Sequence, residues 1–173
     1  MMKRVTVFAL LVWMLVPSVA WARRDWFNNE HGGVSLSNSG IATRGSQLID
    51  CFKIVAPKGH SLGLVIFSTG ALLSGSLQTG GTFDAAYSSL TVVGKGNYGE
   101  PKGTIFSGSF IGPITWTLIS KTGAKLVFEL HGHVMGEVYT GRMVTATVTQ
   151  IIVTTDGQLA RGIGHIANGK FVI

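Results

Sequence analysis

From Lys125 to Tyr139 the chain alternates with a period of two: Leu126, Phe128, Leu130, Val134 and Val138 fall on one parity, and Glu129, His131, His133, Glu137 and Tyr139 on the other. Successive side chains of a strand point to opposite faces, so this run predicts a strand with one face in a core and the other in water. Gly132 and Gly136 share the apolar parity, where a missing side chain leaves room for a large neighbour such as Trp116 or Phe110.

The same reading extends along the chain. Runs of β-branched, aromatic and aliphatic residues are separated by turn punctuation such as Pro57-Lys58-Gly59, Thr79-Gly80-Gly81, Thr122-Gly123 and Thr140-Gly141, with no sustained helical periodicity. The predicted strands are 34–39, 47–55, 62–69, 74–79, 82–86, 89–94, 104–111, 114–120, 125–139, 143–155 and 159–166, with a short piece near Phe171. In the run from Met143 to Thr155 the apolar residues change parity between Val148 and Ile151, which predicts a bulge near Gln150. Connections this short join antiparallel neighbours, so the fold class is all-β, a single antiparallel meander. Two closures hide its apolar faces, a β-sandwich and a closed β-barrel. Leu62 to Phe67 is apolar on both parities, as a strand covered on both faces would be, and this favours the sandwich.

The N-terminus reads as an export leader. Lys3 and Arg4 form a charged start, Val5 to Val16 an apolar stretch, and Ala20-Trp21-Ala22 a small-x-small cleavage site, giving a signal peptide over 1–22 and one β-rich domain over 23–173. Arg23 and Arg24 follow the cleavage point, so an uncleaved membrane anchor is the alternative, although Pro17 interrupts a stretch that only just reaches spanning length. The mature domain, roughly 150 residues, is enough for one core. The whole chain has 14 basic and 8 acidic residues, a net charge of +6; loss of Lys3 and Arg4 leaves a scattered excess that does not suit recognition of nucleic acid. Cys51 is the one cysteine, so no disulfide forms within the chain, and in Leu48-Ile49-Asp50-Cys51-Phe52 it reads as a small apolar strand residue.

The phrases 69–83 (TGALLSGSLQTGGTF), 103–110 (GTIFSGSF) and 112–118 (GPITWTL) resemble a group of small exported proteins of soil bacteria, rich in Gly, Ser and Thr. The similarity covers roughly Leu62 to Thr155. Some members carry a Pro-Glu-Pro type C-terminal sorting signal, which is not found in Lys170-Phe171-Val172-Ile173. The resemblance implies export and β-structure and brings no catalytic residues with it.

Few motifs carry chemistry. Gly94-Lys95-Gly96-Asn97-Tyr98-Gly99 spells the dinucleotide fingerprint, but that site needs a helix to begin there, whereas Glu100-Pro101-Lys102-Gly103 and a strand follow. It is therefore read as a glycine-rich hairpin loop. Glu129, His131 and His133 lie two residues apart on one strand face, with Cα spacings of about 6.5 Å, so both imidazoles can reach one transition metal ion if a third ligand such as His165 pairs alongside. Glu129 and Glu137 are about 26 Å apart along that strand, too far for a glycosidase pair. Gly59-His60-Ser61-Leu62-Gly63 spells G-x-S-x-G, but His60-Ser61 sits in a turn-like stretch and a strand is predicted from Leu62, whereas a nucleophile elbow needs a strand before the serine and a helix after it. The reading that remains is a secreted β-domain acting by binding or as an envelope component rather than as an enzyme. The alternatives are a small barrel holding an apolar ligand among Trp116, Phe106, Phe110 and Phe128, a histidine metal site, or an outer-membrane barrel.

Overall fold

The computed structural model describes residues 26–173; the predicted leader lies outside them. Five strands form the first third: β1 Trp26–Glu30, β2 Gly33–Ser37, β3 Gly40–Thr43, β4 Ser46–Cys51 and β5 Ile54–Val55. Next come β6 Gly63–Ser68, β7 Leu72–Ser76, β8 Gly80–Phe83 and β9 Ser89–Gly94. The long strands β10 Gly103–Thr122, β11 Lys125–Val138 and β12 Met143–Thr155 follow, then a helical turn α1 Asp156–Ala160 and β13 Ile163–Val172.

The architecture is a closed eight-stranded antiparallel barrel. Its ring runs β1, β4, β6, β9, β10, β11, β12 and β13, and closes where β1 pairs with β13, Phe27 opposite Phe171. The β2–β3 hairpin bridges β13 to β6, and the β7–β8 hairpin adds to the outer part of β10. A barrel of eight strands is just wide enough for side chains to fill, and Phe27, Val65, Val92, Phe106, Val134 and Phe171 are all at most 1% exposed.

The barrel, not the sandwich, is the closure adopted. Val65 and Phe67 of β6 are buried, but Leu64 and Ile66 are 42% and 37% exposed. The second apolar parity of this strand therefore faces outward instead of meeting another sheet, and both edges of β6 are taken by ladder partners.

Lys125–Val138 is the expected two-faced strand, buried on every even position. Trp116 stacks on Phe128 with ring centroids 4.3 Å apart, and its indole N–H donates to the Leu77 carbonyl at 3.0 Å. A Cβ on Gly132 would lie 2.9 Å from Cδ1 of Phe110, and one on Gly136 would lie 2.7 Å from Cζ of Phe106. Gly132 thus makes room for the Phe110 ring, whereas Gly136 admits both the Phe106 ring and the close-lying Ser107-Gly108 backbone of β10.

Four local expectations change. The run 47–55 breaks at Phe52-Lys53, where β4 turns into β5. The runs 104–111 and 114–120 are one strand with a register shift between Ile111 and Thr115, at Gly112-Pro113. Thr155 and Gln158 form a capping box, the Thr155 hydroxyl accepting from the Gln158 N–H and the Gln158 side chain accepting from the Thr155 N–H, so 156–160 is helical where a strand was expected to begin. The bulge near Gln150 is not in β12, which keeps one phase throughout and pairs with β11 without interruption. The shift lies across the ladder in β13, where Ile151 faces Asn168 and Ile152 faces Ile166.

Because the phase holds, Gln150 points inward and is 0% exposed. Its amide exchanges two hydrogen bonds of 3.0 Å with the equally buried Asn29, whose Nδ2 also donates to Ser46 Oγ at 2.5 Å. A Cβ on Gly169 would overlap both amides, so this glycine leaves the space they occupy. The pair joins the barrel's first strand to β12 with a directional contact that apolar packing cannot supply.

Two substitutions test this core. Gln150→Leu leaves the Asn29 amide without its reciprocal partner and is expected to lower the unfolding free energy by about 1–3 kcal/mol in urea titrations. Gly132→Ala is expected to cost about 1–3 kcal/mol by overpacking against Phe110, and clearly less in a Phe110→Leu background; strictly additive effects would show that the ring is not the obstacle.

Candidate functional site

Antiparallel order brings one set of chain segments to the same end of the barrel: the start of β1, the β4–β5 turn, the β9–β10 loop, the β11–β12 turn and the end of β13. They enclose a cleft of about 330 Å³ walled by Trp26, Phe52, Lys53, Tyr139, Thr140 and Arg142, with Ile54, Gly99, Pro101, Val138 and Ile173 completing it. That volume is at the lower end for small-molecule sites.

The first wall is a strained turn. Cys51 pairs with Ile54, leaving Phe52 and Lys53 as a two-residue connection, and their φ angles are 50° and 73°. Both central residues of such a hairpin lie in the left-handed region that Asn-Gly fills without strain; a larger side chain there costs roughly 1–2 kcal/mol. Phe52 is held in place by edge contact with Phe27, centroids 5.0 Å apart, and by Tyr139 at 5.9 Å. Trp26 is oriented by Asp50, whose Oδ2 accepts its indole N–H at 3.0 Å and the Asn28 amide at 3.2 Å. Asp50 Oδ1 is buried without a hydrogen-bond partner.

The β9–β10 loop is the second wall and settles the G-x-G-x-x-G question. Gly94 pairs with Gly103 across an antiparallel hairpin, and no helix starts there. Glu100, 4% exposed, turns its carboxylate into its own loop, accepting the N–H of Asn97 at 3.0 Å and of Tyr98 at 2.9 Å. The amides that would cradle a phosphate are occupied by this carboxylate. Burial pushes the Glu100 pKa up, but the N–H groups of Asn97, Glu100 itself, Tyr98 and Gly96 outweigh it, and the net value lies below the ordinary one.

Cys51 is fully buried, and its thiol is pushed up to about 12, first by burial and then by the charges of Asp50 and Glu100. It stays protonated and unreactive at neutral pH, in keeping with its reading as an apolar strand residue.

The structure places Glu129, His131 and His133 on the outward face of β11. His131 Nδ1 lies 3.2 Å from Thr149 Oγ1 and His133 Nδ1 3.3 Å from Thr147 Oγ1, and the two rings meet edge to face at 5.8 Å. His165 pairs with Val153, on the ladder row of Val127, while the row of His131 continues through Thr149 to Lys170. His165 therefore does not join the pair, and among the described residues no group of three or more His, Cys, Asp or Glu side chains is arranged to hold a metal ion. Trp116, Phe106, Phe110 and Phe128 are each at most 3% exposed and fill the space proposed for an apolar ligand.

Glu100 gives a pH test. A carboxylate whose pKa is lowered by folding adds stability above its unfolded pKa, about 4.3, and loses it as the pH falls through the folded value. Glu100→Gln is expected to be less stable than the wild type by a constant margin at neutral pH, a margin that shrinks on acidification below about pH 4. Urea midpoints for both proteins from pH 7 to pH 3 measure it; a margin that does not change would remove the charge from the loop's stability.

Compared with family models, curated proteins and solved structures, the chain matches none.

Proposed function

We propose that the protein is an exported, non-catalytic binding protein that takes a small ligand in the cleft at the end of its barrel. The observation that carries the reading is the Phe52-Lys53 turn, two non-glycine residues in left-handed backbone that both face the cleft. Strain of this kind persists where surrounding structure enforces it, and it clusters at ligand sites. The packed interior supports a ligand at the mouth rather than in the middle. The leader pattern of residues 1–22 supports export to the periplasm or the extracellular space.

The polarity of the barrel favours a water-surrounded domain over a membrane-spanning one. Apart from the Asn29–Gln150 pair and a few small hydroxyls the interior is apolar, whereas the outward positions of β11 and β12 include Glu129, His131, His133, Glu137, Thr145, Thr147 and Thr149. Outer-membrane barrels have the reverse arrangement, an apolar outer band around a polar lumen.

Uncharged N-phenyl-1-naphthylamine is a suitable probe, since its fluorescence rises when it leaves water. The wild-type domain is expected to bind it, and Thr140→Trp, which fills the cleft from the β11–β12 turn, to weaken binding by roughly tenfold or more, about 1.4 kcal/mol. His133→Ala on the outward face serves as the control and should bind as the wild type does. Equal binding by the Thr140→Trp protein would rule the cleft out as the site.

A further inference from the structure

Resting on the cleft as a binding site, we propose that its ligand is a small amphiphile carrying a carboxylate, and that Lys53 is the partner of that anion. Among the described residues, the charged side chains in the cleft wall are Lys53 and Arg142, both cations. Two acids near it are engaged elsewhere: Glu100 is bound into its own loop, while Asp50 accepts from Trp26 and Asn28 with one oxygen and buries the other. Arg142 already has a partner of its own, so the assignment rests on Lys53. Lys53 is exposed, with no ion pair or side-chain hydrogen bond among the described residues, on a turn that fixes its backbone at φ 73°. A lysine there places a free ammonium beside the apolar surfaces of Trp26, Phe52 and Tyr139. A cation next to aromatic walls matches a molecule with an anionic head and an apolar body, because the ammonium gains a charge-assisted hydrogen bond while the rings cover the remainder.

Calorimetric titration of the domain with matched acid and amide ligands tests this. The pairs are 1-naphthoate with 1-naphthamide, and octanoate with octanamide; the first offers a flat ring and the second an alkyl chain, so together they distinguish an aromatic acid from a fatty acid. At least one acid is expected to bind roughly tenfold more tightly than its amide. Lys53→Gln should abolish that preference without weakening the amide, and Lys53→Arg should keep it. Equal affinity for acid and amide in the wild type, with N-phenyl-1-naphthylamine still bound, overturns the charge assignment and leaves the cleft standing. Failure of every ligand, the neutral naphthylamine included, overturns the cleft and this inference with it. A preference that survives Lys53→Gln removes Lys53 as the anion's partner.

Discussion

Closure of the sheet through β1 is the constraint on which the rest of the molecule depends. β1 pairs with β4 on one side and β13 on the other, so the ring has no free edge in which backbone groups are left unpaired. The same closure turns one parity of every ring strand inward and fills the centre with side chains. It also sets the start of β1 beside three turns that are remote in sequence, and the cleft is made of those neighbours.

A purely apolar interior would leave the order and register of strands underdetermined, since Leu, Val and Phe pack acceptably in several alignments. The Asn29–Gln150 pair adds a directional condition: two buried amides, each satisfying the other, with Ser46 taking the remaining Asn29 donor. Slipping β1 by one residue would turn Asn29 to the outside and leave Gln150 buried and unpaired. Gly169, with no side chain to intrude, is the complement of that pair.

The parts of this fold that were legible in the sequence are those in which local pattern and tertiary role agree. β9 and β12 have the predicted bounds, and the two-faced reading of β11 holds along its length. β1 was not legible because Trp-Phe-Asn-Asn-Glu carries polar residues at a buried position, and Asn29 is tolerated there only through a partner 121 residues away. Gln150 misled the phase of β12 for the same reason. The turn at Phe52-Lys53 was hidden because neither residue has turn chemistry. The candidate site has no compact sequence signal, since its walls come from positions near 26, 52, 99 and 140 that meet only after closure.

Pairing Phe27 with Phe171 joins residues from opposite ends of the described chain. Contacts of such long sequence separation require most of the loop-closure entropy to be lost before they form, which makes them slow. A chain emerging from its N-terminus can build hairpins as it appears, but its first strand has no ring partner on one side until the last strand has been delivered. The barrel is thus a ring that a growing polypeptide can close only once β13 has been made, and until then β1 lacks its partner on that side.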